Sequence, residues 1–311
     1  MIVPGDIRPF RALYALMDGP VPLSPAASTE GGPFRLLMPE RPLSPVVFAS
    51  SHSGRSYGAE FLPGVRLCSL GLRRSEDSFV DELFGAAPDL GAPLLAANFP
   101  RAFCDANREP WELDPAMFAD PLPPWVNTTS ARVTAGLGTI ARVVASGEPI
   151  YRAKLSFAEA ERRIETYWRP FHDALAGLVN EAKARFGFCW LIDCHSMPTS
   201  SQSTWSGARS VDFVLGDLHG VACAPRATRF VEAFLSARGH VVRRNDPYAG
   251  GFITAHYGQP ADGVHVLQIE IARRLYMDEL RFERLPSFRV VQQQITELIS
   301  ALTHEVYGLI G

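Results

Sequence analysis

Cys189-Trp190-Leu191-Ile192-Asp193-Cys194-His195-Ser196-Met197-Pro198 decides the fold. Its first half is an apolar run of the kind that makes a parallel strand buried on both faces. Pro198 cannot donate to a ladder and ends it. Ligands of open α/β sheets bind beyond the carboxyl ends of strands, so His195 stands where chemistry is done. Val46-Val47-Phe48-Ala49-Ser50-Ser51-His52-Ser53-Gly54 has the same form, an apolar run closing on a histidine. A third run, Val264-His265-Val266-Leu267-Gln268-Ile269-Glu270-Ile271, carries a carboxylate within strand-like alternation. Two histidines and a glutamate at strand ends are the parts of a metal-dependent hydrolase.

Outward from these three runs, strands alternate with helices. Leu94–Phe99 and Val65–Leu70 read as strands, and Glu76–Phe84 as a helix start. Ser156–Ala184 is the clearest helix: Ser156 and Glu159 form a capping box, and Pro170 inside it predicts a kink or a split. Asp212–Leu215 and His240–Arg243 follow as strands, with a helix at Pro225–Ser236 between them and another at Ser287–Leu309. Residues 109–130, rich in proline, read as an irregular loop, and 199–210 as a mobile polar one. Such alternation indicates an α/β sandwich. Residues 1–42 are expected to form an extension with a short helix near Ile7–Leu16 and an edge strand near Phe34–Met38, and 43–311 one α/β domain.

The 311 residues are 47% hydrophobic, ample for a sizeable core, and 30 Lys+Arg nearly balance 33 Asp+Glu. That balance argues against a nucleic-acid groove or a polybasic membrane patch. No window holds the roughly eighteen uninterrupted apolar residues of a membrane span. With no basic and apolar leader at the start, the cytoplasm is the expected compartment and a small molecule the expected partner. The five cysteines form no CxxC pair and are expected reduced. Cys194 adjoins His195, yet neighbours on a strand point to opposite faces, so a buried inert thiol is the expectation.

A catalytic metal needs about three protein ligands and an open position. His52 and His195 are natural ligands, and the third should be an acid or a histidine brought close by folding. Arg73-Arg74-Ser75-Glu76-Asp77-Ser78 offers Glu76 or Asp77, though adjacent acids beside arginines also suit a solvated helix start. Glu270, in an apolar strand, needs either a partner such as Arg273 or Arg274, or a function as a general base. Asp105-Ala106-Asn107-Arg108 puts a guanidinium beside an amide, a pair able to polarise a carbonyl or clamp a carboxylate.

Taken together and in order, these segments resemble the N-formylglutamate amidohydrolases, distant relatives of zinc carboxypeptidases and aspartoacylases. The anchors span roughly residues 45–285: Ser51-His52-Ser53-Gly54, Glu76-Asp77, Phe99-Pro100-Arg101 with Asp105-Ala106-Asn107-Arg108, Trp168-Arg169-Pro170-Phe171-His172, Asp193-Cys194-His195-Ser196, Asn245-Asp246-Pro247-Tyr248 with Gly250-Gly251, and Gln268-Ile269-Glu270-Ile271. Ser51, Ala106 and Phe171 stand where the family more often has Pro, Leu and Tyr. The resemblance implies a single-domain three-layer α/β/α sandwich with a mixed central sheet, as in zinc carboxypeptidases. It implies that His52, Asp77 and His195 hold one Zn2+ or another divalent ion, with Glu76 the fallback for Asp77. Glu270 becomes the proton-shuttling base, and Arg101, Asn107 and Arg108 bind the substrate. The implied reaction is hydrolysis of N-formyl-L-glutamate to formate and glutamate. A deacylase or carboxypeptidase for another acylated amino acid or small peptide, or a binding protein on the same fold, is the alternative. His172 is expected to pack or orient, and His256 to line the pocket.

Overall fold

The computed structural model describes residues 32–199 and 210–310. The helix expected near Ile7–Leu16 and nearly all of the polar loop at 199–210 lie outside the described residues. Seven strands make one mixed sheet: β1 Phe34–Leu37, β2 Val46–Ser50, β3 Leu94–Ala97, β4 Cys189–Met197, β5 Phe213–Gly216, β6 Val242–Arg244 and β7 Val264–Ala272. Their order across the sheet is β1-β3-β2-β4-β7-β5-β6. β3, β2, β4 and β7 run parallel; β1 joins the edge antiparallel to β3, and β5 runs antiparallel to β7.

The helices are α1 Ser69–Arg73, α2 Val80–Leu83, α3 Ala131–Thr134, α4 Phe157–Arg163, α5 Arg169–Phe186, α6 Pro225–Ser236, α7 Phe252–Tyr257 and α8 Phe288–Leu309. Every residue of β2, β4 and β7 is buried, as a central strand covered on both faces must be. One face, through Val47, Leu191 and Val266, packs on Phe171, Leu175 and Leu178 of α5. Those three recur at helical spacing, so α5 turns one apolar stripe to the sheet. The other face, through Phe48, Trp190, Ile192 and Leu267, packs on Leu83 of α2, Val231 of α6 and Ile295 and Leu298 of α8. Helices therefore cover both faces of the sheet in three layers, as the sequence implies.

Two local expectations differ from the structure. Val65–Leu70 is no strand: Val65 makes a single bridge to Tyr151, and α1 begins at Ser69. A short apolar run carries too little periodicity to separate the two states. The helix expected from Glu76 begins at Val80, because the backbone before it is committed elsewhere. The Glu76 N–H donates to Arg73 O, the Asp77 N–H to His52 O, and Phe79 sits at φ 67°. Pro170, expected to kink or split its helix, stands at the start of α5, directly after a π-turn at Ile164–Trp168 that separates α4 from α5. A wide turn is one way to house a ring that has no N–H to give.

Candidate active site

The site grows from the alternation of two neighbouring strands. On β4, Cys189 and Leu191 face the core beneath α5, and Asp193 and His195 continue the same face; Trp190, Ile192 and Cys194 take the other. β7 repeats the pattern, with Val264 and Val266 followed by Gln268 and Glu270. In register, Asp193 lies opposite Gln268 and His195 opposite Glu270. Four buried polar side chains in a block on a sheet face are costly unless each finds a partner or a task. Cys194 lies in the opposite core, where burial holds its thiol well above the ordinary range. No Cys194–His195 pair forms.

His52 leaves the end of β2 in a turn that reaches Gly54. A Cβ on Gly54 would lie 2.1 Å from Phe99 O, so only glycine fits that approach. Asp77 is drawn to the turn by its N–H bond to His52 O, at 3.0 Å. Its Oδ2 stands 2.9 Å from His195 Nδ1 and 3.5 Å from His52 Nδ1. Its Oδ1 accepts from Arg273 Nη2 at 3.0 Å and Ser196 Oγ at 3.2 Å. Ligand-type atoms of His52, Asp77 and His195 all lie within 4.8 Å of one another.

Both histidines are backed by a carboxylate. His52 Nε2 meets Asp105 Oδ1 at 2.6 Å, and His195 Nε2 meets Asp193 Oδ1 at 2.8 Å. A carboxylate behind an imidazole fixes its tautomer and aims the other nitrogen, the usual support of a histidine that holds a metal. Here both Nδ1 atoms are aimed at the same aspartate oxygen. His52 Nδ1 is buried and has no hydrogen-bond partner among the described residues. An orphaned ring nitrogen converging with a second one and a carboxylate oxygen fits a divalent cation with nitrogen and oxygen ligands.

The electrostatics follow from the burial. Desolvation alone would raise the Asp77 carboxyl, but the hydrogen bond with His195 and the nearby imidazole of His52 outweigh it and hold it well below the usual range. Asp105 is likewise low: against desolvation stand the charges of Arg101 and His52. His195 lies well above its ordinary value; burial opposes this, and the charge and hydrogen bond of Asp193, then Asp77, overcome it. Glu270 goes the other way. Burial pushes its carboxyl up to about 7, Asp77 and Asp193 add to the rise, and His195 and Arg101 only partly offset it. Neither arginine suggested as its partner reaches it by a salt bridge. Arg273 is held by Asp77 and Ser196, Arg274 by Asp212 and Val211 O. The hydrogen bond of Glu270 comes from Gln268 Nε2, at 3.0 Å.

Glu76 is turned away from the cluster. Its carboxylate accepts from Arg73, from Tyr57 Oη at 3.0 Å and from Ser78 Oγ at 2.6 Å. Arg101 pairs with Asp105, its Nη2 2.8 Å from Oδ2. Both ends of the Asn107 amide are taken by protein: Nδ2 donates to Asp193 Oδ2 and lies 3.0 Å from His195 Nε2, and Oδ1 accepts from Ile253 N–H at 2.8 Å. A Cβ on Gly251 would come within 2.5 Å of that amide. Arg108 is buried, with Nε donating to Leu137 O at 2.9 Å and Nη1 to Asn107 O at 2.7 Å; Asp105 is 3.9 Å from Nη2. Ala106 is fully buried in the core under the loop and lines none of the cavity.

The loop carrying Asp105, Asn107 and Arg108 is gripped from below. His172 Nε2 donates to Ala106 O at 2.7 Å, and Trp168 Nε1 donates to Arg108 O at 3.0 Å. His172 therefore orients, as expected; His256 stacks on Phe252 and does not line the cavity. Above the sheet opens a cavity of about 500 Å³, lined by His52, Asp77, His195, Glu270, Arg101 and Arg108, and also by Arg132, Gln268 and Tyr248. The sequence marks no task for Asp105, Asp193, Gln268 or Arg132, and offers Arg273 only as a partner for Glu270. Period-two alternation from His195 and Glu270 reaches Asp193 and Gln268; Arg132, in an irregular stretch, carries no such signal.

The family model for N-formylglutamate amidohydrolase matches residues 44–277. The N-formylglutamate deformylase of Pseudomonas putida is 30% identical over 239 residues, covering 74% of this chain and 83% of that protein. That of Pseudomonas aeruginosa is 31% identical over 240 residues, covering 75% and 84%. The crystal structure of N-formylglutamate amidohydrolase from Ralstonia eutropha JMP134 superposes with a TM-score of 0.84 at 40% identity, covering 89% of this chain and 99% of that one.

Proposed function

The chain belongs to the N-formylglutamate amidohydrolase family, and from that premise we propose that it is a metal-dependent amidohydrolase cleaving N-formyl-L-glutamate to formate and L-glutamate. The observation that carries the metal and the mechanism is the pair of carboxylate-backed histidines converging on Asp77, with Glu270 beside them in one cavity. His52, Asp77 and His195 would hold one divalent ion, Zn2+ being the choice their donor set suits. Such an ion supplies Lewis acidity, making water nucleophilic near neutral pH and drawing charge from a carbonyl oxygen.

The chain's own groups do the rest. Glu270 accepts a proton from the water that attacks the formyl carbon, and a carboxyl raised by burial is matched to both taking and returning it. The new C–O bond forms, the C–N bond breaks, and Glu270 returns the proton to the departing nitrogen. Asn107 holds Asp193 and His195 in place from the loop side. Arg108, anchored by two backbone carbonyls, keeps further N–H groups for the substrate's α-carboxylate. Arg101, paired to Asp105, adds positive charge where the carbonyl oxygen becomes negative.

The test is metal analysis joined to turnover. Purified protein should carry about one divalent ion per chain and release formate and glutamate in equal amounts from N-formyl-L-glutamate, and a chelator should stop it. Metal-loaded protein that leaves N-formyl-L-glutamate intact would refute the substrate; full activity without metal would refute the mechanism.

A further inference from the structure

The cavity holds more positive charge than its own carboxylates require. Arg101, Arg108, Arg132 and Arg273 line it against Asp77, Asp105 and Glu270. Arg273 is committed to Asp77, and Arg101 to Asp105. Arg108 is fixed by carbonyl oxygens, with its nearest carboxylate at 3.9 Å. Arg132 is exposed, and its guanidinium has no hydrogen bond or ion pair among the described residues. Exposed arginines without partners are ordinary on open surface; this one lines the catalytic cavity.

Its place is fixed by backbone. Ser130 Oγ accepts from Val133 N–H and starts α3, and the Leu137 N–H donates to Arg132 O at 2.8 Å. The carbonyl of the same Leu137 holds Arg108 Nε. One turn, Ala131–Leu137, thus presents Arg132 and also anchors Arg108. Burial, and the charges of Arg101 and Arg132, press the Arg108 guanidinium down to about 10. Like charges gathered in a cavity are relieved by an anion, and a carboxylate matches a guanidinium fork with two hydrogen bonds.

We propose that Arg132 is a specificity-determining residue that binds the side-chain carboxylate of the substrate, so that the cavity reads a dicarboxylate, one carboxylate on Arg108 and the other on Arg132. The inference rests on the amidohydrolase reading for which bond is cut. A neutral carboxamide at the same position would give Arg132 one uncharged acceptor in place of a two-pronged charged pair, which makes the site selective for an acidic over an amidated side chain. Arg108 acts on every N-acyl amino acid; Arg132 acts on the acidic ones.

The experiment compares wild type with Arg132→Gln and Arg132→Lys on N-formyl-L-glutamate and N-formyl-L-glutamine. Wild type is expected to prefer the acid at least thirtyfold in kcat/KM. Arg132→Gln should cut that preference at least tenfold, through KM far more than kcat, and Arg132→Lys should restore part of it. An unchanged preference, or a loss lying wholly in kcat, overturns the proposal. Glutarate binding, followed by calorimetry on metal-loaded protein, tests the anion site without turnover. It should weaken at least tenfold in Arg132→Gln; equal binding, or none to wild type, overturns the proposal. Glutarate binding that depends on Arg132 in a protein that fails to cleave N-formyl-L-glutamate would leave the anion site standing and remove the proposed reaction.

Discussion

Glu270 is the residue whose surroundings leave it least explained by structure alone. Its hydrogen bond comes from a neutral amide, and the arginines of the following turn are spent elsewhere. Replacing it with glutamine keeps the shape and the Gln268 contact and removes the proton chemistry. Glu270→Gln is expected to retain metal and to lose at least about a hundredfold in kcat, the lower end for a general acid–base group. Near-normal kcat with metal retained would return it to a packing role. Arg108 supports a second expectation. Arg108→Lys keeps charge but loses the two-pronged geometry, and kcat/KM on N-formyl-L-glutamate should fall by about 2–4 kcal/mol, as when a charged hydrogen-bonded pair loses one partner. A change of under about 1 kcal/mol is what an exposed ion pair would give. Both histidines and Glu270 were legible because each stands within or at the end of an apolar strand-like run. The choice of Asp77 over Glu76 was not legible from those neighbours alone, since adjacent acids differ only in which way a short turn aims them.

At the scale of elements, α5 matters as much as the strands. The π-turn before it and its own first turn bring Trp168 and His172 beneath the loop of Asp105 and Asn107 and hold two of its carbonyls. Burial keeps His172 neutral, with Nε2–H on Ala106 O and Nδ1 facing the Tyr257 hydroxyl at 3.0 Å. Burial, with a minor push from His256 and against the Ala106 bond, lowers its pKa from 6.5 to about 3. The sign follows. Below about pH 6.5 the unfolded chain binds a proton that the folded chain refuses, so this contribution to stability is lost as pH falls from there toward 3. His172→Gln should be less stable at pH 7.5, and the drop in its unfolding free energy between pH 7.5 and 5 should be smaller than wild type's by about 1–2 kcal/mol. Parallel urea curves at the two pH values are the measurement; equal drops would show that His172 can take a proton in place. The element types were mostly readable. Strands β2, β4 and β7, the long helix and α6 follow from periodicity. Val65–Leu70 did not, because six apolar-leaning residues suit a bridge and a helix start equally.

At the scale of the whole molecule, the α/β class follows from alternating elements, but the strand order does not. Nothing in the composition of β5 marks it as the strand that runs against β7, and nothing in β1 says which neighbour it pairs with. Long-range order is what gathers the site: the ends of β2, β4 and β7 and the turn before α2 bring together groups that are 25 to 218 residues apart in the chain (His52 to Asp77, and His52 to Glu270). Metal binding and folding should therefore be coupled. The unfolded chain scatters His52, Asp77 and His195, so an ion held by all three stabilises the folded state by mass action, by about 4 kcal/mol at a thousandfold excess over Kd. For a large domain that corresponds to a rise in Tm of roughly 8–16 °C, at about 2–4 °C per kcal/mol. Chelated protein should show the lower Tm, and added Zn2+ should restore the higher one. Asp77→Asn should abolish most of that rise. It loses the shared Oδ2 charge between the two Nδ1 atoms, although its amide can still contact Arg273 or Ser196 through oxygen. Glu270→Gln should keep the rise in full, since Glu270 does not belong to the convergent set. The pair of variants separates holding the ion from moving the proton. If Asp77→Asn gained as much from Zn2+ as wild type, the ion would be bound elsewhere and the His52–Asp77–His195 assignment would fall.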